Sequence, residues 1–75
     1  MLIDVRTEDE FNAGHLDNAV NIPVQIIVKA VIPIPKDSGI ELYCRSGSRA
    51  RMAQMILNHR GYTNVSLLNG TGAIE

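Results

Sequence analysis

Cys44, the only cysteine of this 75-residue chain, lies where a reactive sulfur could be positioned. It follows the apolar run Ile40–Tyr43 and precedes Arg45-Ser46-Gly47-Ser48-Arg49, after which a helical pattern begins. A sulfur between a strand end and a helix start meets backbone N–H donors and the positive end of the helix dipole, and the two arginines add positive charge. Each contribution favours the thiolate over the thiol, so we expect Cys44 to be a catalytic nucleophile.

The loop that follows the cysteine has the composition of an anion-binding loop. Gly47 allows a tight curl because glycine accepts a positive φ at no steric cost, and the backbone amides can then converge on one point. We therefore predict that five residues of the loop bind an anionic substrate: Arg45, Ser46, Gly47, Ser48 and Arg49.

Each of these residues also has a plainer interpretation. Cys44 could be an inert core thiol, as many lone cysteines are. Arg45 and Arg49 could form a solvated surface pair, and Ser48 could be the N-cap of the following helix rather than a ligand of the anion. The sequence leaves these alternatives open.

Composition narrows the function classes. Seventy-five residues suffice for a single domain, residues 1–75, and a net charge of −1 argues against a nucleic-acid surface. One cysteine excludes an intramolecular disulfide and a cysteine-based zinc site, and His15 and His59 are too distant in sequence to form a local ligand pair, so we expect no metal and no cofactor. The longest apolar stretch, residues 22–35, contains prolines and polar residues, so we expect no membrane span.

Apolar runs and helical spacing alternate along the chain. The patterns predict strands at Leu2–Val5, Ala19–Ile22, Ile40–Tyr43 and Val65–Leu68, and helices from a Thr7–Glu10 capping box to Ala13, at Val24–Ile32 and at Ser48–Arg60. Short connections between alternating elements favour an α/β fold with a small, mostly parallel sheet flanked by helices on both faces. Ligands bind at the carboxyl ends of the strands in such sheets, which is where Cys44 is predicted to lie.

Several spaced motifs identify a family resemblance. They are Asp4-Val5-Arg6, Glu10-Phe11, Gly14-His15-Leu16, Ala19–Pro23, the loop Cys44–Arg49, and Gly61-Tyr62 with Val65. With these motifs in order, the sequence resembles the rhodanese family, in particular its small single-domain sulfurtransferases of the phage-shock protein E type. The resemblance implies a rhodanese-like fold and a thiosulfate sulfurtransferase, in which Cys44 takes sulfur from thiosulfate as a persulfide and passes it to cyanide or a cellular thiol.

Loop length separates two chemistries that this resemblance implies. Related phosphatases use a Cys-x5-Arg loop, whereas Cys44 to Arg49 is Cys-x4-Arg, and no general acid is evident in the loop. A Cys-based phosphatase or arsenate reductase is therefore the weaker alternative. A non-enzymatic persulfide carrier or interaction module is the other alternative, because the same loop would serve it.

The remaining expectations concern support, shape and surroundings. Asp4 and Arg6 should form an ion pair that holds the loop from behind. Asn18 occupies a position where the family often has glycine, and asparagine tolerates the left-handed conformation. Compared with the family the fold should be shortened at both ends. We expect a monomer without nucleic-acid or membrane partners, and the resemblance favours a periplasmic location, with the cytoplasm as the alternative.

Overall fold

Strands and helices alternate through residues 1–74, the part of the chain that the computed structural model describes. The strands are β1 (Leu2–Asp4), β2 (Ala19–Asn21), β3 (Ile40–Tyr43) and β4 (Val65–Leu67). The helices are α1 (Glu8–Ala13), α2 (Val24–Lys29) and α3 (Ser48–His59), and a 3₁₀ turn, Leu68–Gly70, follows β4.

The strands form one parallel sheet in the order β2-β1-β3-β4. The chain passes from β1 to β2 at one side and then crosses back over β1 to β3, so right-handed connections place α1 on one face and both α2 and α3 on the other. Helices α2 and α3 contact each other, as this placement requires. The predicted α/β fold class is confirmed.

The apolar core lies between the sheet and the pair α2 and α3. Ile3 and Leu42 are register partners on one face of the sheet, and both are fully buried with Ile27 of α2 and Leu57 of α3. The opposite face carries Asp4 and Tyr43, which are also fully buried and register partners at the carboxyl end of the sheet. The end of the sheet that faces the cysteine loop therefore has a polar group in its interior.

The capping box at the start of α1 is present as predicted. Thr7 has extended backbone angles and its hydroxyl accepts a hydrogen bond from the Glu10 amide at 3.2 Å, while the Glu10 carboxylate accepts one from the Thr7 amide at 3.0 Å. The helix ends at Ala13, also as predicted. Asn18 has a φ of 66°, the left-handed conformation expected for it.

Helix α2 is shorter than the sequence pattern indicates. It ends at Lys29 rather than Ile32 because Ala30 is extended, and the Arg60 guanidinium donates to the carbonyls of Ile27, Val28 and Ala30 at the end of this helix. These carbonyls are satisfied from another element, so the helix needs no further turn.

The other boundaries differ by one residue. Strands β1, β2 and β4 and helix α3 each end one residue earlier than predicted. After β4 the chain turns at once, with Asn69 at a φ of 55°. Among residues 1–74, no helix is long and apolar enough to cross a bilayer.

Candidate active site

Cys44 directly follows β3, at the carboxyl end of the sheet where it was predicted. Its amide donates to the Gly72 carbonyl at 2.8 Å, and its carbonyl accepts from the Ile74 amide at 3.2 Å. The residue has no exposed surface and packs with the apolar core. The sulfur is therefore more enclosed than a surface nucleophile would be. An inert core thiol would show the same burial.

A hydrogen bond to the sulfur distinguishes Cys44 from an ordinary core residue. The Gly47 amide donates to Cys44 Sγ at 3.0 Å, across the tight turn that begins α3. An N–H fixed in this direction stabilises negative charge that develops on the sulfur. A donor for negative charge on the sulfur is therefore already in place.

Gly47 is required at this turn for two reasons. Its φ is 95°, a conformation that other residues rarely adopt. A Cβ on it would lie 2.3 Å from the Thr71 carbonyl oxygen, so the segment after β4 packs directly against the loop.

The two serines of the loop lie side by side on its outer surface. Their hydroxyl oxygens are 3.4 Å apart, and both residues are exposed. The N-cap position of α3 is occupied by Gly47 without a side-chain cap, so the interpretation of Ser48 as N-cap is wrong. Because Gly47 already adopts the turn conformation, Ser48 begins the helix and its hydroxyl is not used in capping.

Arg49 is paired with a residue from the first helix. Its two terminal nitrogens donate to the two carboxylate oxygens of Glu10, Nη1 to Oε1 at 2.6 Å and Nη2 to Oε2 at 3.1 Å. Hydrogen bonds from Arg49, and then from the Thr7 amide, lower the pKa of Glu10 to about 2. The same pairing raises the pKa of Arg49. Arg49 is therefore part of a bidentate link between the loop and α1 rather than of a solvated pair with Arg45.

The predicted ion pair of Asp4 and Arg6 is present beneath the site. Arg6 Nη2 lies 2.7 Å from Asp4 Oδ2, with Asp4 fully buried and Arg6 only 8% exposed. Burial opposes ionisation of Asp4, but the hydrogen bonds from Arg6 outweigh it and keep the pKa of this carboxyl below its usual value.

This ion pair also ties neighbouring segments together. Arg6 Nη2 donates to the Gly14 carbonyl at 2.7 Å, and the Tyr43 hydroxyl accepts from the Leu16 amide at 3.1 Å. The Arg6 guanidinium lies 5.7 Å from the centre of the Tyr43 ring. The polar cluster thus joins β1 and β3 to the segment that leads from α1 to β2.

A cavity of about 340 Å³ opens beside the loop, lined by Arg6, Glu10, Ala13, Arg45 and Ile74. Arg45, which directly follows the cysteine, is exposed and lines this cavity, whereas Cys44 is fully buried and is not among its lining residues. Among residues 1–74, no three His, Cys, Asp or Glu side chains come together as metal ligands.

Comparison with known proteins agrees with the architecture. The profile of the rhodanese-like domain matches residues 1–71. The chain belongs to the rhodanese family. A solved rhodanese-like domain from Anabaena superposes with a TM-score of 0.85 at 27% identity, covering 97% of this chain and 83% of that one.

Curated relatives carry sulfurtransferase names. A protein named sulfurtransferase from Allochromatium vinosum is 37% identical over 93% of this rhodanese chain, which spans 65% of that relative. The protein named thiosulfate sulfurtransferase PspE from Escherichia coli is 31% identical, with 91% of this chain and 67% of that protein covered. A tRNA uridine(34) hydroxylase from Erwinia tasmaniensis is 33% identical over the whole chain, which spans only 23% of the relative. The chain thus spans less than two thirds of the first of these relatives and about a quarter of the last.

Sequence reasoning missed two partners of this rhodanese loop. Glu10 was assigned to the capping box and to a family motif, and its carboxylate also binds Arg49 from 39 positions away. The segment Thr71–Ile74, for which the sequence predicted no role at the site, packs on the loop. Neither contact has a local signal, because both join residues far apart in the sequence.

Proposed function

We propose that this protein is a thiosulfate sulfurtransferase that works through a persulfide on Cys44. The thiolate attacks the outer sulfur of thiosulfate, a new S–S bond forms, and the old S–S bond breaks with its electron pair leaving on sulfite. A thiophilic acceptor, cyanide or a thiol, then takes the outer sulfur and restores the thiolate. Charge is conserved in both displacements, and neither needs a cofactor.

One observation carries this proposal: the Gly47 amide is directed at Cys44 Sγ from 3.0 Å at the start of a 12-residue helix. The attacking thiolate and the persulfide both carry negative charge at this place. A donor that is already oriented stabilises that charge without reorganisation, which is the usual source of rate in such sites.

The surrounding residues have supporting roles in this scheme. Arg45 and Arg6 line the cavity through which thiosulfate would approach. The Ser46 and Ser48 hydroxyls lie on the outer surface of the loop and can donate to sulfonate oxygens. Asp4 neutralises Arg6 and holds the wall of the cavity in place.

Intact mass spectrometry tests the proposal directly. After treatment with thiosulfate and removal of excess donor, the protein should gain the mass of one sulfur atom, and cyanide should remove it as thiocyanate. Cys44→Ser should show no gain while keeping its circular dichroism spectrum, and since the chain has a single cysteine this control leaves no other thiol to modify. Absence of the sulfur adduct on the wild-type protein would refute the assignment.

A persulfide carrier or interaction module is the second candidate. Two observations favour it. Cys44 is fully buried, and in relatives such as the tRNA uridine(34) hydroxylase the matched region is only about a quarter of the protein. A carrier would accept sulfur from a protein donor but produce no thiocyanate from thiosulfate and cyanide. Gain of sulfur from a cysteine desulfurase, seen by the same mass measurement, together with no thiocyanate from thiosulfate and cyanide would identify the carrier.

A further inference from the structure

The carboxylate of Glu10 lies against the arginine of the cysteine loop. Glu10 and Arg49 form a bidentate pair in which both side chains are about 30% exposed. Glu10 also lines the cavity beside the loop, together with Arg6 and Arg45. An anion that enters this cavity therefore meets a negative charge among the cations.

The helix cap alone does not explain why this residue carries a charge. The capping box needs an acceptor at the third helical position, and glutamine serves there as well as glutamate. Glu10 Oε1 fulfils this role by accepting from the Thr7 amide at 3.0 Å and from its hydroxyl at 3.1 Å. The negative charge of Glu10 acts on Arg49, and its low pKa keeps the Glu10 carboxyl ionised at neutral pH.

We infer that Glu10 is a specificity-determining residue of the sulfur-transfer site. Its carboxylate offsets the charge of Arg49 and so disfavours doubly charged sulfur donors, such as thiosulfate, relative to singly charged ones, such as organic thiosulfonates. The inference rests on the proposed function, because it concerns the donor of the same persulfide.

The chemistry of the two donors is parallel. With a thiosulfonate, the Cys44 thiolate attacks the terminal sulfur, the S–S bond breaks, and a sulfinate leaves with the electron pair. Both donors give the same persulfide, and they differ by one negative charge. A cavity of this volume is no wider than about one Debye length, so the charge of every group that lines it acts on a donor inside it. The charge of Glu10 should therefore affect the reaction rates of the two donors differently.

The test compares the loading of Cys44 by thiosulfate and by the methanethiosulfonate anion. The rate constant of persulfide formation is measured for each donor by intact mass at low ionic strength. Glu10→Gln should raise the ratio of the thiosulfate to the methanethiosulfonate rate constant roughly three- to tenfold, the effect of one unit of charge across a few ångströms of partly solvated space. High salt should reduce this change.

Matched variants separate charge from structure. Glu10→Asp keeps the charge, and Glu8→Gln removes an exposed charge from the same helix, so both should keep the wild-type ratio. Should Glu10→Gln fail to fold, Ala13 offers a second route, because it lines the cavity, is exposed and takes no part in the capping box. Ala13→Glu should lower the ratio relative to Ala13→Gln.

The possible outcomes are distinct. If both donors load Cys44 and the ratio is unchanged or lower in Glu10→Gln, the inference fails while the proposed function stands. If Glu10→Gln is unfolded, equal ratios in the two Ala13 variants overturn the inference. If no donor loads Cys44 in any variant, the proposed function fails and the inference fails with it.

Discussion

Replacing Asp4 by asparagine tests the ion pair on which the site rests. The substitution keeps the shape of the side chain and an acceptor for the Arg6 amide, but it leaves the Arg6 side chain, which is only 10% exposed, without its counter-charge. Removing one partner of a buried ion pair costs about 3–5 kcal/mol. At about 0.05–0.15 kcal/mol per residue, a chain of this size has only about 4–11 kcal/mol in total. Asp4→Asn should therefore lose about a quarter or more of the free energy of unfolding.

Urea unfolding followed by circular dichroism measures this loss. The midpoint should fall with an unchanged slope, since the extent of surface exposed on unfolding stays the same. The matched control is the double variant Asp4→Leu with Arg6→Met, which removes both charges and should recover most of the stability. A loss below about 1 kcal/mol in Asp4→Asn would contradict the reasoning, because even an unremarkable buried hydrogen bond contributes that much.

The same pair gives a defined dependence on pH. Burial opposes ionisation of Asp4, yet the hydrogen bonds from Arg6 bring its pKa below the usual value. The contribution is therefore complete above the unfolded-state pKa of about 3.9 and is lost as the pH falls through the lower folded-state value. Below about pH 4 the wild type should lose stability more steeply than Asp4→Asn. Parallel acid slopes would show that Asp4 is not held ionised by Arg6.

Three further changes have matched controls. Gly47→Ala should lower the free energy of unfolding by about 2–4 kcal/mol, because it adds a Cβ 2.3 Å from the Thr71 oxygen at a φ of 95°. Gly70→Ala, with a φ of 77° and open space around the added Cβ, should lower it by only about 1–2 kcal/mol. Equal losses in urea unfolding would show that the clash does not contribute. Arg60→Met should lower the free energy of unfolding by about 2–3 kcal/mol, because the carbonyls at the end of α2 lose their hydrogen-bond donor. Arg51→Met, on the exposed side of α3, should change it little. A small loss for Arg60→Met would mean that water satisfies those carbonyls. Arg49→Ala should slow the loading of Cys44 by thiosulfate about tenfold, because it leaves the negative charge of Glu10 without its partner. Adding Glu10→Gln to this variant should restore most of the rate. Additive effects of the two substitutions in the loading assay would show that the residues act independently.

Local signals in the sequence were sufficient for much of this structure. The capping box requires only residues three apart, and the four strands are separate apolar runs, so both were predictable from short windows. The place of Cys44 followed from the rule that parallel strands present ligand sites at their carboxyl ends. These features could be predicted from the sequence because the interactions that produce them involve residues close together in the chain.

What could not be predicted depends on partners distant in the chain. The early end of α2 results from a guanidinium about 30 residues downstream, at Arg60. The pairing of Arg49 with Glu10 joins positions 39 apart, and the residues around Arg49 in the sequence do not indicate that a carboxylate of the first helix will bind it. The full burial of Cys44 likewise depends on the segment after β4, whose small and polar residues resemble an ordinary turn.

The attachment of α1 to the site follows from the same contacts. This helix has no buried residue, so burial of apolar surface contributes little to holding it in place. The capping box stabilises the helix itself, and two contacts hold its ends to the rest of the protein: the Arg6 bond to the Gly14 carbonyl and the Glu10 pair with Arg49. Glu10 takes part in the capping box and in one of these two contacts. Because one carboxylate both anchors the helix and sets the charge beside the cysteine loop, a ligand that displaced Glu10 from Arg49 would also remove one of the contacts that hold α1.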